Sequence, residues 1–123
     1  MAYVLVVDDD AEVNTCLSLR LEAAGFEVLS ALDGEAGLSA ALKYEPDAIL
    51  LDVQMPKMDG LTLLQELRSN KTTVKIPIVM LSASIREQHH AIEAGANYFI
   101  AKPYDAESVL SALDMSMREE CFN

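Results

Sequence analysis

The sequence predicts an α/β fold: a single doubly wound, five-stranded parallel sheet with five helices on its two faces. Three observations predict it. Short, β-branched apolar runs alternate five times with segments of helical periodicity. Runs such as Tyr3-Val4-Leu5-Val6-Val7 and Ala48-Ile49-Leu50-Leu51 are continuously apolar, the mark of strands covered on both faces. The chain has 123 residues, the length of one domain, with no internal repeat, low-complexity segment or interdomain linker. Such alternation calls for parallel strands joined by right-handed crossovers.

Each element follows in turn. Tyr3 to Val7 is the first strand. In the next helix Val13, Cys16, Leu17, Leu21 and Ala24 recur at helical spacing, and Gly25 ends it. Phe26 to Ala31 is the second strand, made more polar by Glu27 and Ser30 as at a sheet edge. Asp33-Gly34 turns into a second helix carrying Leu38, Ala41 and Leu42, which Pro46 halts. Ala48 to Leu51 is the third strand and Leu61 to Arg68 the third helix. Pro77 starts the fourth strand, Ile78 to Leu81, where a missing N–H is tolerated. Ile85 to Ala94 reads as the fourth helix, stopped by Gly95. Tyr98 to Ala101 is the fifth strand. Asp105 caps the last helix, whose stripe is Ala106, Val109, Leu110, Leu113 and Met117. Residues 1–118 form the domain, and 119–123 a polar tail or the stub of a linker, expected to fray.

Composition excludes several classes of function. Apolar residues make up 51% of the chain, which argues against disorder. The apolar runs are far shorter than the roughly 20 residues of a membrane span, and no signal peptide opens the chain. A cytoplasmic location is expected. The formal net charge of −11 argues against direct nucleic-acid binding, which needs clustered Lys and Arg, and suits a divalent cation. The two cysteines, Cys16 and Cys121, lack metal-type spacing and are expected to be free thiols.

In an open parallel sheet, ligands bind outside the carboxyl ends of the strands. After the first strand come Asp8, Asp9 and Asp10; after the second, Asp33; after the third, Asp52. The fourth gives Ser82 and the fifth Lys102-Pro103. Asp at a strand-to-helix junction is ordinarily a helix cap, and Asp10 and Asp33 are read that way. Asp59-Gly60 is a turn and a helix start. Ser82 alone would be a turn residue and Lys102 alone a solvated one. Capping accounts for one acid per junction, however, and not for two adjacent acids facing a third on the neighbouring strand. Three such carboxylates repel and raise one another's pKa unless a cation lies among them, and Mg²⁺ suits that donor set. A phosphoryl group on Asp52 would find a metal, an ammonium and a hydroxyl for its oxygens.

At this point the chain resembles the response-regulator receiver domain of two-component signalling. The resemblance rests on "VLVVDDD", "ILLDVQMPKMDG", "VMLSAS" and "AKPY", in order and in register over nearly the whole chain. It implies a flavodoxin-like strand order 2-1-3-4-5. It implies that Asp52 is the phosphoacceptor and Asp9 a direct Mg²⁺ ligand, with Asp8 acting through water and the Gln54 backbone carbonyl completing the set. Mn²⁺ would substitute, and no other cofactor is implied. Pro56 and Gly60 would shape the loop that carries Gln54. Ser82 and Lys102 would contact the phosphoryl oxygens, and the Lys102–Pro103 peptide would be cis. Ser82 and Phe99 would form the switch. The donor would be a sensor histidine kinase or a phosphotransfer protein. An output domain or a homodimer would use the face of the fourth helix, fifth strand and fifth helix. The domain would not be an enzyme beyond its own phosphorylation and dephosphorylation. Departures from the family pattern are slight: Ser82 where Thr is commoner, Phe99 where Tyr is frequent, and Tyr104 where Phe is usual.

Two other functions fit parts of the sequence. A haloacid-dehalogenase-like phosphohydrolase would use Asp8 and Asp10 as its Asp-x-Asp pair, but Glu12 stands where Thr or Val is usual. A pseudo-receiver docking module would lack an acid or the lysine. A nucleotide-binding relative of the same fold would need a glycine-rich phosphate loop, which follows no strand here. His89-His90 cannot share a helix face and is read as surface. The six methionines are read as core and surface filler.

Overall fold

The structure is a computed structural model that describes residues 2–55 and 58–122, with side chains through residue 118. Pro56 and Cys121 therefore lie outside the described residues or side chains. Strands β1 (Tyr3–Val7), β2 (Glu27–Ala31), β3 (Ala48–Asp52), β4 (Ile78–Ser82) and β5 (Tyr98–Ala101) alternate with helices α1 (Ala11–Ala23), α2 (Gly34–Tyr44), α3 (Gly60–Arg68), α4 (Gln88–Glu93) and α5 (Ala106–Phe122). All pairings are parallel, in the order β2-β1-β3-β4-β5. The polar β2 is an edge strand, as its composition predicts.

Two apolar layers explain the uninterrupted runs. Along β1, Leu5 and Val7 face one layer with Ile49, Leu51, Ile78 and Met80, under α2, α3 and α4. Val4 and Val6 face the other with Ala48, Leu50, Val79 and Leu81, under α1 and α5. Every residue of β3 and β4 is buried. With about 25 cal/mol gained per Å² of apolar surface removed from water, this double cover is the main stabilising term.

The helix boundaries follow from their caps. Asp10, Asp33, Asp59 and Asp105 each accept backbone N–H groups at the start of α1, α2, α3 and α5. Gly25 (φ +98°) and Gly95 (φ +111°) take left-handed conformations just beyond α1 and α4, which other residues adopt only under strain.

The structure departs from the expectations in four places. Cys16 and Ala24 are exposed, so the inward stripe of α1 is Asn14, Leu17 and Leu21. Leu42 is 37% exposed, because Gly37 and Ala41 form the buried side of α2. The fourth helix begins with a 3-10 turn, Ile85–Glu87, where the Ser84 hydroxyl caps the Arg86 amide. The last helix continues to Phe122, past the expected domain boundary at residue 118. No helix among the described residues is long and apolar enough to cross a membrane.

The two ends of the sheet are built differently. At the amino end of β4, Arg68 donates to the carbonyls of Gly95 (2.9 Å), Val74 (2.9 Å), Ile76 (2.8 Å) and, at longer range, Thr73 (3.4 Å). It also donates to Asn97 Oδ1 (3.1 Å), which accepts the Ile78 amide. One guanidinium thereby ties α3, the loop before β4 and the loop before β5. The carboxyl end carries instead the unbalanced acids.

Candidate functional site

β1 ends at Val7, and the chain turns through Asp8, Asp9 and Asp10 into α1. Asp8 is only 2% exposed, its Oδ1 accepting the Asp10 amide at 3.0 Å. Its Oδ2 is buried without a hydrogen-bond partner. Asp9 is exposed. Asp10 is occupied as the α1 cap, accepting the amides of Glu12 and Val13. On the neighbouring strand, Asp52 closes β3 at 4% exposure. Ligand oxygens of Asp8, Asp9 and Asp52 all lie within 4.8 Å of one another. The structure thus assembles the three acids expected to converge and leaves Asp10 and Asp33 as caps.

Asp52 is held from behind. The Val53 amide donates to Leu81, and the Gly60 amide donates to the Val53 carbonyl at 2.8 Å. A Cβ on Gly60 would collide with the Asp52 carbonyl oxygen and stand 2.7 Å from Val53 Cα. Only glycine lets α3 start this close to the aspartate's own backbone. Gln54 lies exposed in the intervening loop, two residues after Asp52.

From the other side, Lys102 Nζ approaches Asp52 Oδ1 at 3.3 Å. Its backbone is fixed by a 2.7 Å bond from its amide to the Ser82 carbonyl, and the Lys102–Pro103 peptide is cis. Ser82 is fully buried, and its hydroxyl oxygen accepts the Ser84 amide at 3.1 Å. That bond uses the hydroxyl oxygen as an acceptor, whereas the expected phosphoryl contact uses the O–H as a donor. Phe99 is half-buried against the α2–α3–α4 layer while Tyr98 faces the α1–α5 layer, as strand alternation requires.

The electrostatics reflect the crowding. Burial pushes the Asp8 carboxyl above its ordinary value, only partly offset by the Asp10 amide. Asp52 is raised too, first by burial and then by the charge of Asp8; Lys102 acts in the opposite direction without prevailing. Tyr104 is raised by burial and by the same two acids. Perturbed groups gathered at a strand-end rim make this the candidate site.

His89 and His90 are exposed, and His89 Nε2 lies 3.1 Å from Glu93 Oε1. Asn14, absent from the residues singled out by sequence motifs, is 2% exposed beneath Asp8. The signal was present: Asn14, Leu17 and Leu21 are i, i+3 and i+7, so an amide sits on an apolar stripe.

Comparison with known proteins agrees with this geometry. The family model of the response regulator receiver domain matches residues 4–114. The chain is 37% identical over 120 residues to the DNA-binding dual master transcriptional regulator RpaA of Synechocystis, covering 96% of this chain and 50% of that one. It is 37% identical to the alkaline phosphatase synthesis transcriptional regulatory protein PhoP of Bacillus subtilis, over 94% of this chain and 48% of that one. The chain therefore spans about half the length of these relatives. Among solved structures, a putative response regulator from Chloroflexus aurantiacus superposes with a TM-score of 0.90 at 36% identity, covering 95% of this chain and 98% of that one. Chemotaxis response regulator CheY4 of Vibrio cholerae gives 0.88 at 33%, over 94% and 98%. Strand order, strand-end acids and the match over nearly the whole chain converge on one conclusion: the chain belongs to the response regulator receiver domain family of two-component systems.

Proposed function

We propose that Asp52 accepts a phosphoryl group from the phosphohistidine of a sensor histidine kinase or phosphotransfer protein, and that an output domain or partner reads the result. The observation that carries this reading is the buried Asp52 carboxylate, set at a strand end with an ammonium 3.3 Å away and two more carboxylates within 4.8 Å. An Asp52 oxygen attacks phosphorus and forms the new P–O bond. The P–N bond breaks, and its electron pair leaves with the donor imidazole, which takes up a proton. Lys102 is placed to neutralise one phosphoryl oxygen, and the Ser82 hydroxyl donates to another.

The donor set fits a divalent cation, because three carboxylates converge and the buried Asp8 Oδ2 has no partner. Asp9 and Asp52 would hold Mg²⁺ directly, with the Gln54 carbonyl, and Asp8 through water; Mn²⁺ would substitute. When bound, the ion supplies charge neutralisation to the phosphoryl oxygens. The domain catalyses only its own phosphorylation and dephosphorylation.

Donation from the Ser82 hydroxyl to a phosphoryl oxygen, with the Ser84 amide still bonded to the same hydroxyl, draws the β4–α4 loop inward. Phe99 then turns into the vacated space, and the α4–β5–α5 face changes for an output domain, a partner or a second copy. With a net charge of −11, the domain makes no nucleic-acid contact of its own, and we place it in the cytoplasm. The dehalogenase reading is displaced by the family assignment, and the cap at Asp10 occupies the acid it needs.

The test is labelling by acetyl phosphate with Mg²⁺. Asp52→Asn abolishes the label and keeps the fold. Label persisting in that variant on Asp8 or Asp10 overturns the assignment, and no label in the parent points to a pseudo-receiver.

A further inference from the structure

We infer that Asn14 is a positioning residue for the metal-binding acids: its side-chain amide holds the Asp8–Asp9 peptide in the orientation that brings Asp9 to Asp8 and Asp52. The inference rests on the reading of Asp8, Asp9 and Asp52 as a divalent-cation site. Asp8 lies one residue beyond the last residue of β1, so its carbonyl has left the sheet ladder. Asn14 Nδ2 donates to that carbonyl at 3.2 Å. The same nitrogen reaches Ala31 O at 3.0 Å and Val6 O at 3.3 Å, so one of its two hydrogens is shared between carbonyls. Ala31 O also accepts the Asp8 amide at 3.1 Å. One buried amide thus joins the ends of β1 and β2 to α1 directly below the acids.

A constraint is needed there. Three carboxylates whose oxygens lie within 4.8 Å repel one another, and the exposed Asp9 relieves that repulsion most easily by rotating into solvent. The Asp8 carbonyl belongs to the peptide plane that positions the Asp9 Cα, so fixing the carbonyl keeps the Asp9 backbone from swinging away and leaves only side-chain rotation free. An amide does this without adding charge to a crowded site. The Asn14 side chain is itself oriented, since its Oδ1 accepts the Ser18 hydroxyl at 3.4 Å. The alternative is that Asn14 merely satisfies buried carbonyls, which would affect stability and not the acids.

The experiment separates the two. Mn²⁺ affinity is measured by electron paramagnetic resonance of the free ion for the parent, Asn14→Leu, Asn14→Ser and Arg68→Ala. Backbone amide NMR shifts of Asp9 and Asp10 are recorded without metal. Removing a partner that orients a metal ligand lowers affinity about 10-fold or more. Asn14→Leu is expected to show that loss and to shift the Asp9 amide before any metal is added. Arg68→Ala, at the opposite end of the sheet, is expected to lose stability yet bind Mn²⁺ as the parent does. If Asn14→Leu does not fold, Asn14→Ser is judged by the same criterion. An Asn14 variant that binds within about 2-fold of the parent, where outer ligand partners typically matter 10-fold, overturns the inference. A parent that does not bind Mn²⁺ overturns the underlying metal reading instead.

Discussion

Asp8→Asn should make the metal-free protein more stable near neutral pH, although it removes a buried residue of the site. Asp8 and Asp52 are 2% and 4% exposed, and their oxygens lie within 4.8 Å. At an effective dielectric constant near 20, two unit charges at that separation repel by about 3.5 kcal/mol. Lys102, 3.3 Å from Asp52, screens part of this. Asparagine keeps an oxygen for the Asp10 amide and puts an N–H where Oδ2 now lacks a partner. A net gain of about 1–2 kcal/mol remains after that screening. For 123 residues it corresponds to a rise in melting temperature of about 4 °C per kcal/mol.

The sign with pH is fixed by the raised carboxyl of Asp8. Its folded-state pKa lies above the ordinary 3.8, so above both values the parent bears the full penalty of an ionised, buried acid. As pH falls through the raised value towards 3.8, the folded state takes up a proton first and the penalty disappears. The advantage of Asp8→Asn should therefore be largest near neutrality and shrink on acidification. Urea unfolding followed by far-UV circular dichroism, in chelator, measures it. Mg²⁺ at ten times its dissociation constant should stabilise the parent by about 1.4 kcal/mol and the variant by less. A variant no more stable than the parent at neutral pH, with an unchanged denaturant slope, refutes the claim that these acids strain the unliganded fold.

Four further outcomes follow. Asp9→Ala should lose most of the Mg²⁺ or Mn²⁺ affinity in calorimetry; undiminished binding would make Asp9 a turn residue. Gly60→Ala should cost about 3 kcal/mol or more in denaturant unfolding, since its Cβ would overlap the Asp52 carbonyl. Arg68→Ala should cost about 2–3 kcal/mol by the same assay, as several carbonyls lose one shared donor. Beryllofluoride, standing in for the phosphoryl group, should shift NMR signals from Ser82 through Tyr104; shifts confined to residues near Asp8, Asp9 and Asp52 would place the output elsewhere.

The sheet and the acids were legible because each leaves a local mark. Runs such as Ile78 to Leu81 are apolar on both faces only if both faces are covered, and acids after consecutive strands declare a shared rim. What escaped was set by three-dimensional neighbours. Arg68 ends a helix, where a basic residue needs no further explanation, and its carbonyl partners lie up to 27 positions away. Asn14 looked like one polar residue in a helix, and only its contact with Ala31, 17 positions on, shows what it holds. The 3-10 turn at Ile85–Glu87 has the composition of the helix it precedes; Ser84 capping distinguishes it. Cys16 and Leu42 are apolar and fall at inward periods yet are exposed, because hydrophobicity periods do not report which neighbour already fills the space.

The distribution of burial argues for the direction in which a change at Asp52 can travel. Down β3 or β4 it meets residues buried without exception, whose displacement would disturb both layers at once. At the far end of those strands the Arg68 network holds the loops. Sideways, the structure is softer. β5 has four residues, all only partly buried. α4 has six, of which only Ala91 is buried, and its N-cap, Glu87, makes no capping hydrogen bond through its side chain. The 3-10 turn before it exposes Ile85 at 67%. The link between Asp52 and this soft region is short: the Ser82 carbonyl accepts the Lys102 amide, and its hydroxyl oxygen accepts the Ser84 amide. Lys102 in turn reaches Asp52. A charge added at Asp52 acts on Lys102 and Ser82 first, and both lead into β5 and the start of α4. Dense burial below the acids and sparse burial beside them are thus complementary: the first resists the repulsion of the carboxylates, and the second leaves an adjoining face that costs less to rearrange.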